Sequence, residues 1–150
     1  MTNAHEAKVT ARSMPVSTKH VIEISNYIRG KNVQKSKEFL ENVLKMKSAV
    51  PMRRYRSAGH RKGKVGPGRY PQKATKEVLR LLKNLESNAQ NKGLEVGALY
   101  IKTIIPNLGE TIPRYGRNRG QAKRTHLEIV AEEAETKPKK EIKKKTEEKK

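Results

Sequence analysis

The chain has no Cys, no Trp and no Asp, and a single Phe among its 150 residues. Without Cys there is no disulfide framework, no catalytic thiol and no thiolate metal site. Four His and acids that are all Glu leave few residues for a metal cluster, and no nucleophile stands beside a base partner. No apolar run approaches the roughly 20 residues that a membrane helix needs, and the N-terminus lacks the apolar core of a signal peptide. The composition therefore predicts no enzyme, no metal, no cofactor and no membrane partner, and a cytoplasmic location.

What the chain has is positive charge. Lys and Arg total 35 against 15 acids, a formal net charge of +20. Such an excess repels itself and attracts anything dense in phosphate; counterion release then makes the same charge a source of affinity for nucleic acid. Residues 135–150 carry eight Lys, four Glu and one apolar residue, Ile142. This segment cannot bury enough surface to offset its ordering entropy and is expected to be a disordered tail. Residues 1–134 keep 27 basic and 11 acidic residues, still +16, and are expected to form a single domain.

Within that domain, Val21, Ile24 and Ile28 follow Ser17, a candidate N-cap, and precede Gly30, which predicts a helix over 18–29. Val33, Leu40, Val43 and Leu44, with Phe39 beside them, predict a second over 33–46. The longest stripe, Ala74, Val78, Leu81, Leu82, Leu85 and Ala89 between Pro71 and Gly93, predicts a third over 71–92 at the centre of the core. After Gly93 the period shortens. Segments 99–105 and 125–131 read as strands of one antiparallel ribbon, and 8–13 as an edge strand. Pro106, Gly109, Pro113, Gly116 and Gly120 between the two long strands suit a long, bent hairpin. The fold class is α+β.

The acids are unevenly spread. Residues 42–76 contain none, yet hold eleven cations: Lys45, Lys47, Arg53, Arg54, Arg56, Arg61, Lys62, Lys64, Arg69, Lys73 and Lys76. Tyr55, His60 and Tyr70 are interleaved, and glycines allow close backbone approach. A second acid-free stretch, 111–127, adds Arg114, Arg117, Arg119, Lys123 and Arg124 around Tyr115. Arginine forks hold phosphate and planar rings stack on unpaired bases, so the two stretches are candidate nucleic-acid contacts, joined by Arg12 and His20. Each run alone would equally fit a solvated face; two Arg-, Gly- and Tyr-bearing runs fit nucleic acid better. The glycines around Lys64 lack the spacing of a nucleotide-binding loop. His126, on a strand face, is expected to be structural or RNA-facing rather than a metal ligand.

VPMRRY at 50–55 and GRYPQKATKEVLRLLKNLESNAQNKGL at 68–94 resemble the universal large-subunit ribosomal protein family numbered twenty-two, in its archaeal and eukaryotic form. The eukaryotic member is called large-subunit protein seventeen. The likeness extends through ARSMPVSTKHVIEISNYIRGK at 11–31, PRYGR at 113–117 and THLEIVAEE at 125–133. It implies three helices packed on a small antiparallel sheet, with a long protruding β-hairpin that lines the nascent-peptide exit tunnel. It also implies rRNA contacts at Arg53, Arg54, Tyr55, Arg69 and Tyr70, and a hairpin tip at Arg114, Tyr115, Gly116 and Arg117. The implied partners are large-subunit rRNA, neighbouring ribosomal proteins and, at the tip, the nascent peptide, with no homo-oligomer. The basic loop is expected over about 47–71 and the hairpin over about 97–132. Net charge alone does not separate RNA from DNA, so a DNA- or RNA-compacting protein outside the ribosome is the alternative.

Overall fold

The computed structural model describes residues 5–133. In chain order they form β1 (Glu6–Met14), α1 (Thr18–Ile28), α2 (Val33–Leu44), β2 (Val50–Pro51), β3 (His60–Arg61), β4 (Gly66–Arg69), α3 (Gln72–Asn91), β5 (Leu99–Leu108), β6 (Ile112–Pro113), β7 (Gln121–Ala122) and β8 (Thr125–Glu133). The class is α+β, as expected. Segment 135–150, expected to be a disordered tail, lies outside the described residues. No helix among the described residues is long and apolar enough to cross a membrane.

The three helices fall where the apolar stripes put them, and their ends show why the bounds differ. Pro71 is the N-cap of α3 rather than its first helical residue, a place where its missing N–H has no partner to lose. Gly93 then takes φ +74°, and Leu94 N–H reaches back to Ala89 O at 3.0 Å, closing a Schellman turn. α2 stops at Leu44, two residues short of the expected end. There Met46 rather than a glycine enters the left-handed region, at φ 59°, and Lys47 N–H bonds Asn42 O at 2.9 Å. Ser17 holds the N-cap position of α1 but its side chain makes no capping bond. Asn32 caps α2 instead, its side chain accepting from Gln34 N–H at 2.8 Å.

One three-stranded antiparallel sheet has the order β1-β8-β5, with β8 central. Leu127, Ile129 and Ala131 of β8 point inward and are buried with Leu99, Ile101 and Ile104 of β5 and Ala7 of β1. α3 packs chiefly on β1 and α2, and α1 on β5, so the helices cover one sheet face. Burying each large aliphatic side chain contributes about 1.5 to 3 kcal/mol, and Leu82 and Leu85 of α3 are fully enclosed.

The strands run further than their apolar alternation predicts. β5 continues through Pro106, opposite Leu127, to Leu108, opposite Thr125. A proline is tolerated there because β5 is an edge strand and its outer side needs no N–H donor. The α1–α2 linker covers part of that edge: Gly30 N–H donates to Ile101 O at 2.8 Å, and Ile101 N–H to Lys31 O at 2.9 Å. Arg29 Nη2 adds a bond to Ile104 O at 3.0 Å. On the other edge β1 is irregular between Ala11 and Met14. Ser13 takes φ 56° there, and its N–H donates to His126 Nδ1 at 3.1 Å. His126 is therefore a structural staple.

Candidate nucleic-acid interface

The first basic segment is not a bare loop. β2, β4 and β3 form a second small antiparallel sheet, in that order, pairing Val50 with Arg69 and His60 with Pro67. Gly68 is buried at its centre, where an added Cβ would lie 3.1 Å from Ala49 Cβ and 3.1 Å from Arg61 Cγ. Gly63 and Gly66, at φ +77° and +68°, make the turns that only glycine takes without strain.

What holds the segment to the body is Glu23 of α1, only 1% exposed. Its carboxylate accepts three backbone bonds, from Arg53 N–H at 3.1 Å, Arg54 N–H at 2.8 Å and Tyr55 N–H at 2.7 Å. With the amides turned inward, Arg53 and Arg54 project into solvent. Lys19 Nζ and the Arg54 guanidinium stand 5.5 and 5.7 Å from the Tyr55 ring centre, and the Arg61 guanidinium 5.2 Å from that of Tyr70. Arg69 Nη2 donates to Ser57 O, and Arg56 Nε to Arg53 O at 3.3 Å. Arg56, His60, Arg61 and Lys62 are exposed.

The second segment is the end of the hairpin. Thr125 is its root: Oγ1 donates to Val16 O at 3.0 Å and lies 2.8 Å from Thr18 Oγ1. Gly109 is pressed against the opposite strand, its N–H donating to Arg124 O at 2.9 Å. β6 and β7 then pair Ile112 with Ala122 and Pro113 with Gln121, and Arg114 N–H bonds Gly120 O at 2.8 Å. Gly116 turns at φ +83° and Tyr115 is 92% exposed. Arg114, Arg117 and Arg119 are exposed around it, and Leu108 and Ile112 stand bare on the stem. A two-stranded ribbon with no third strand or helix against it is only marginally stable in water.

The two segments meet in a groove of about 570 Å³ at the hairpin root, lined by His20, Lys73, Arg114, Lys123 and Arg124. Ser17 and Gln72 also line it, so the N-termini of α1 and α3 both open there and add positive potential. Arg124 Nη1 donates to Ser13 O at 3.2 Å, while its Nε is buried without a partner. Burial, with Arg69 and Lys123 nearby, pushes the His20 imidazole below its ordinary pKa, which keeps it neutral at pH 7.

The acids are elsewhere. Among the described residues the ion pairs are Lys8–Glu128, Lys37–Glu86, Arg80–Glu77 and Lys102 with Glu6 and Glu132, and none of them takes in a cation of either acid-free segment. Hydrogen bonds from Lys102 and from Tyr100 Oη, the latter at 2.6 Å, hold the Glu132 carboxyl at about 2. No group of three or more metal-ligating side chains is found among the described residues.

A sequence profile described as ribosomal protein L22p/L17e matches residues 9–132. The chain belongs to that family. Its relatives include the large ribosomal subunit protein uL22 of Archaeoglobus fulgidus, 44% identical over 135 residues that cover 84% of this chain and 87% of the relative. The uL22 protein of Ignicoccus hospitalis is 43% identical over 141 residues, covering 86% and 89% respectively. That of Methanocaldococcus jannaschii is 40% identical over 136 residues, covering 85% and 87%. The L22p/L17e proteins are structural, not enzymatic.

Within this family member, sequence reasoning located most of the basic and aromatic side chains that converge. Arg53, Arg54, Arg56, Arg61, Lys62, Arg69, His60, Tyr55 and Tyr70 share the β2-β4-β3 region, and His20, Lys73, Lys123 and Arg124 the root groove. The side chain of Lys64 is outside what the structure describes. Arg12 stands apart, in a groove between β1 and α3 beside Glu77 and Arg80. Reasoning on charge runs missed Glu23, because it sought acids only for their absence. The signal available was a lone carboxylate between Ile22 and Ile24.

Proposed function

We propose that the chain is a structural constituent of the large ribosomal subunit, cytoplasmic with that particle. The basic sheet and the root groove bind large-subunit rRNA, and the hairpin reaches through the RNA to line the nascent-peptide exit tunnel. Residues 1–134 act as one rRNA-binding unit, with 135–150 as an appended tail. The rRNA contacts are Arg12, His20, Arg53, Arg54, Tyr55, Arg56, His60, Arg61, Lys62, Lys64, Arg69, Tyr70, Lys73, Lys123 and Arg124. The tunnel tip is Arg114, Tyr115, Gly116, Arg117 and Arg119, where the growing peptide passes, and other ribosomal proteins border the body.

The observation that carries this reading is the separation of charge: cations gather on one small sheet, one groove and one bare hairpin, while none of the described ion pairs takes in a cation of those segments. A cation placed that way gains little from its own chain and much from a phosphate. Membership in a ribosomal family favours RNA over the DNA-compacting alternative. Sedimentation of lysate at low and high salt tests it. The polypeptide should travel with the large particle at low salt, and its absence from that fraction overturns the proposal. If six to ten phosphates are met, affinity of the free protein for large-subunit RNA should fall by about 10³ to 10⁵ between roughly 50 and 200 mM salt.

A further inference from the structure

Neither Tyr27 of α1 nor Phe39 of α2 belongs to a basic segment, yet the two helices bring both rings to the margin of one. The rings stack with centroids 4.1 Å apart and planes inclined by 30°, and Lys31 Nζ lies 3.3 Å from the Tyr27 centroid. With Val65 and Tyr70 they floor a cleft of about 850 Å³, within the range of roughly 300 to 1,000 Å³ typical of small-molecule sites. Lys47, Arg53, Arg61 and Lys62 stand at its rim, all exposed and none paired with an acid among the described residues.

This cleft differs chemically from the rest of the cationic surface. Cations alone hold the phosphates of any RNA, paired or not. Half-buried aromatic side chains beneath them offer a poorly hydrated apolar surface, which a duplex backbone cannot use and an unpaired base can. We infer that the cleft between α1, α2 and the β2-β4-β3 sheet captures one unpaired nucleotide of the bound RNA. Its base lies on the aromatic floor and its phosphate at the Lys and Arg rim. The inference rests on the proposal that the basic sheet meets RNA and adds base capture, which that proposal does not require.

The test uses the full chain, titrated at low ionic strength with each nucleoside 5′-monophosphate, with ribose 5-phosphate and with inorganic phosphate, followed by amide NMR. Stacking on one base predicts at least one nucleotide binding about 5- to 150-fold more tightly than ribose 5-phosphate, with the base-dependent shifts at residues 27, 39, 65 and 70. Phe39→Leu, confirmed folded by circular dichroism, should shrink that preference to less than about threefold and leave the inorganic phosphate affinity unchanged. Equal binding of nucleotide and ribose 5-phosphate overturns the inference, as do base-dependent shifts confined to the hairpin. Tighter seating of a short acidic aromatic peptide than of any nucleotide also overturns it, in favour of a protein-docking cleft. The salt slope of large-subunit RNA binding, measured on the same samples, separates the two readings. A steep slope with no base preference rejects base capture alone, whereas a flat slope rejects the rRNA reading.

Discussion

Changing Glu23 to Gln removes one charge and replaces one of two carboxylate oxygens with an NH2 group, inside a site that offers only donors. The carboxylate now meets three backbone N–H groups at 2.7, 2.8 and 3.1 Å while being 1% exposed. The amide oxygen of Gln can keep Arg54 and Tyr55, which both bond to Oε1, but its nitrogen then faces the Arg53 N–H, donor against donor. Loss of one bond to a charged acceptor and weakening of two others should cost about 1.5 to 3 kcal/mol. Glu23→Ala leaves all three amides without that acceptor and should cost about 3 to 5 kcal/mol, reduced by whatever water enters. Urea denaturation followed by circular dichroism measures the loss. Hydrogen exchange at residues 53–55 locates it, since these amides should exchange faster in both variants while those of α3 follow only global stability. If Glu23→Ala unfolds within about 0.5 kcal/mol of the parent and the three amides stay protected, the carboxylate does not hold the segment and the reasoning fails.

Other expectations follow from the same geometry. Gly109→Ala would place Cβ 2.9 Å from Arg124 Cβ and 3.1 Å from its carbonyl carbon, so the hairpin root should lose about 1 to 3 kcal/mol, read as faster exchange of the β6 and β7 amides. His20 has a lowered pKa when folded, so the unfolded chain binds more protons and stability must rise with pH. The penalty is complete below the lowered folded value and gone above the unfolded 6.5; His20→Gln should therefore flatten the change in urea midpoint between about pH 5 and 7.5, and an unchanged slope would refute it. Changing Arg114, Arg117 and Arg119 together to Ala should lower the salt slope of RNA binding by about 2 to 3 while moving stability by less than about 0.5 kcal/mol per site. An unaltered slope would show that the tip meets no phosphate.

The elements were legible wherever one face of a segment is apolar, as in the α3 stripe, since burial of that face outweighs most local choices. Ends were legible only where the expected residue did the work. Gly93 stops α3, but Met46 stops α2 in the same left-handed conformation, which a rule based on glycine does not anticipate. The extension of β5 past Pro106 was hidden because proline disfavours strands in general, and only the edge position of β5 makes it harmless. The basic segment was legible as charge, while its pairing into β2, β3 and β4 was not, since two-residue strands leave no periodicity to read.

The sequence by itself determined the excess of positive charge and the three apolar stripes that become helices among the described residues, because net charge and apolar period belong to the chain whatever its packing. Only the tertiary structure decided which of the basic-segment side chains lie together. Residues 20, 73 and 123–124 are remote along the chain, and they reach one groove because α1, α3 and the hairpin root converge there. The same holds for Glu23, whose carboxylate finds its three partners thirty or more positions away. A buried charge persists only where enough donors meet it, and that condition is set by how segments pack, not by their order.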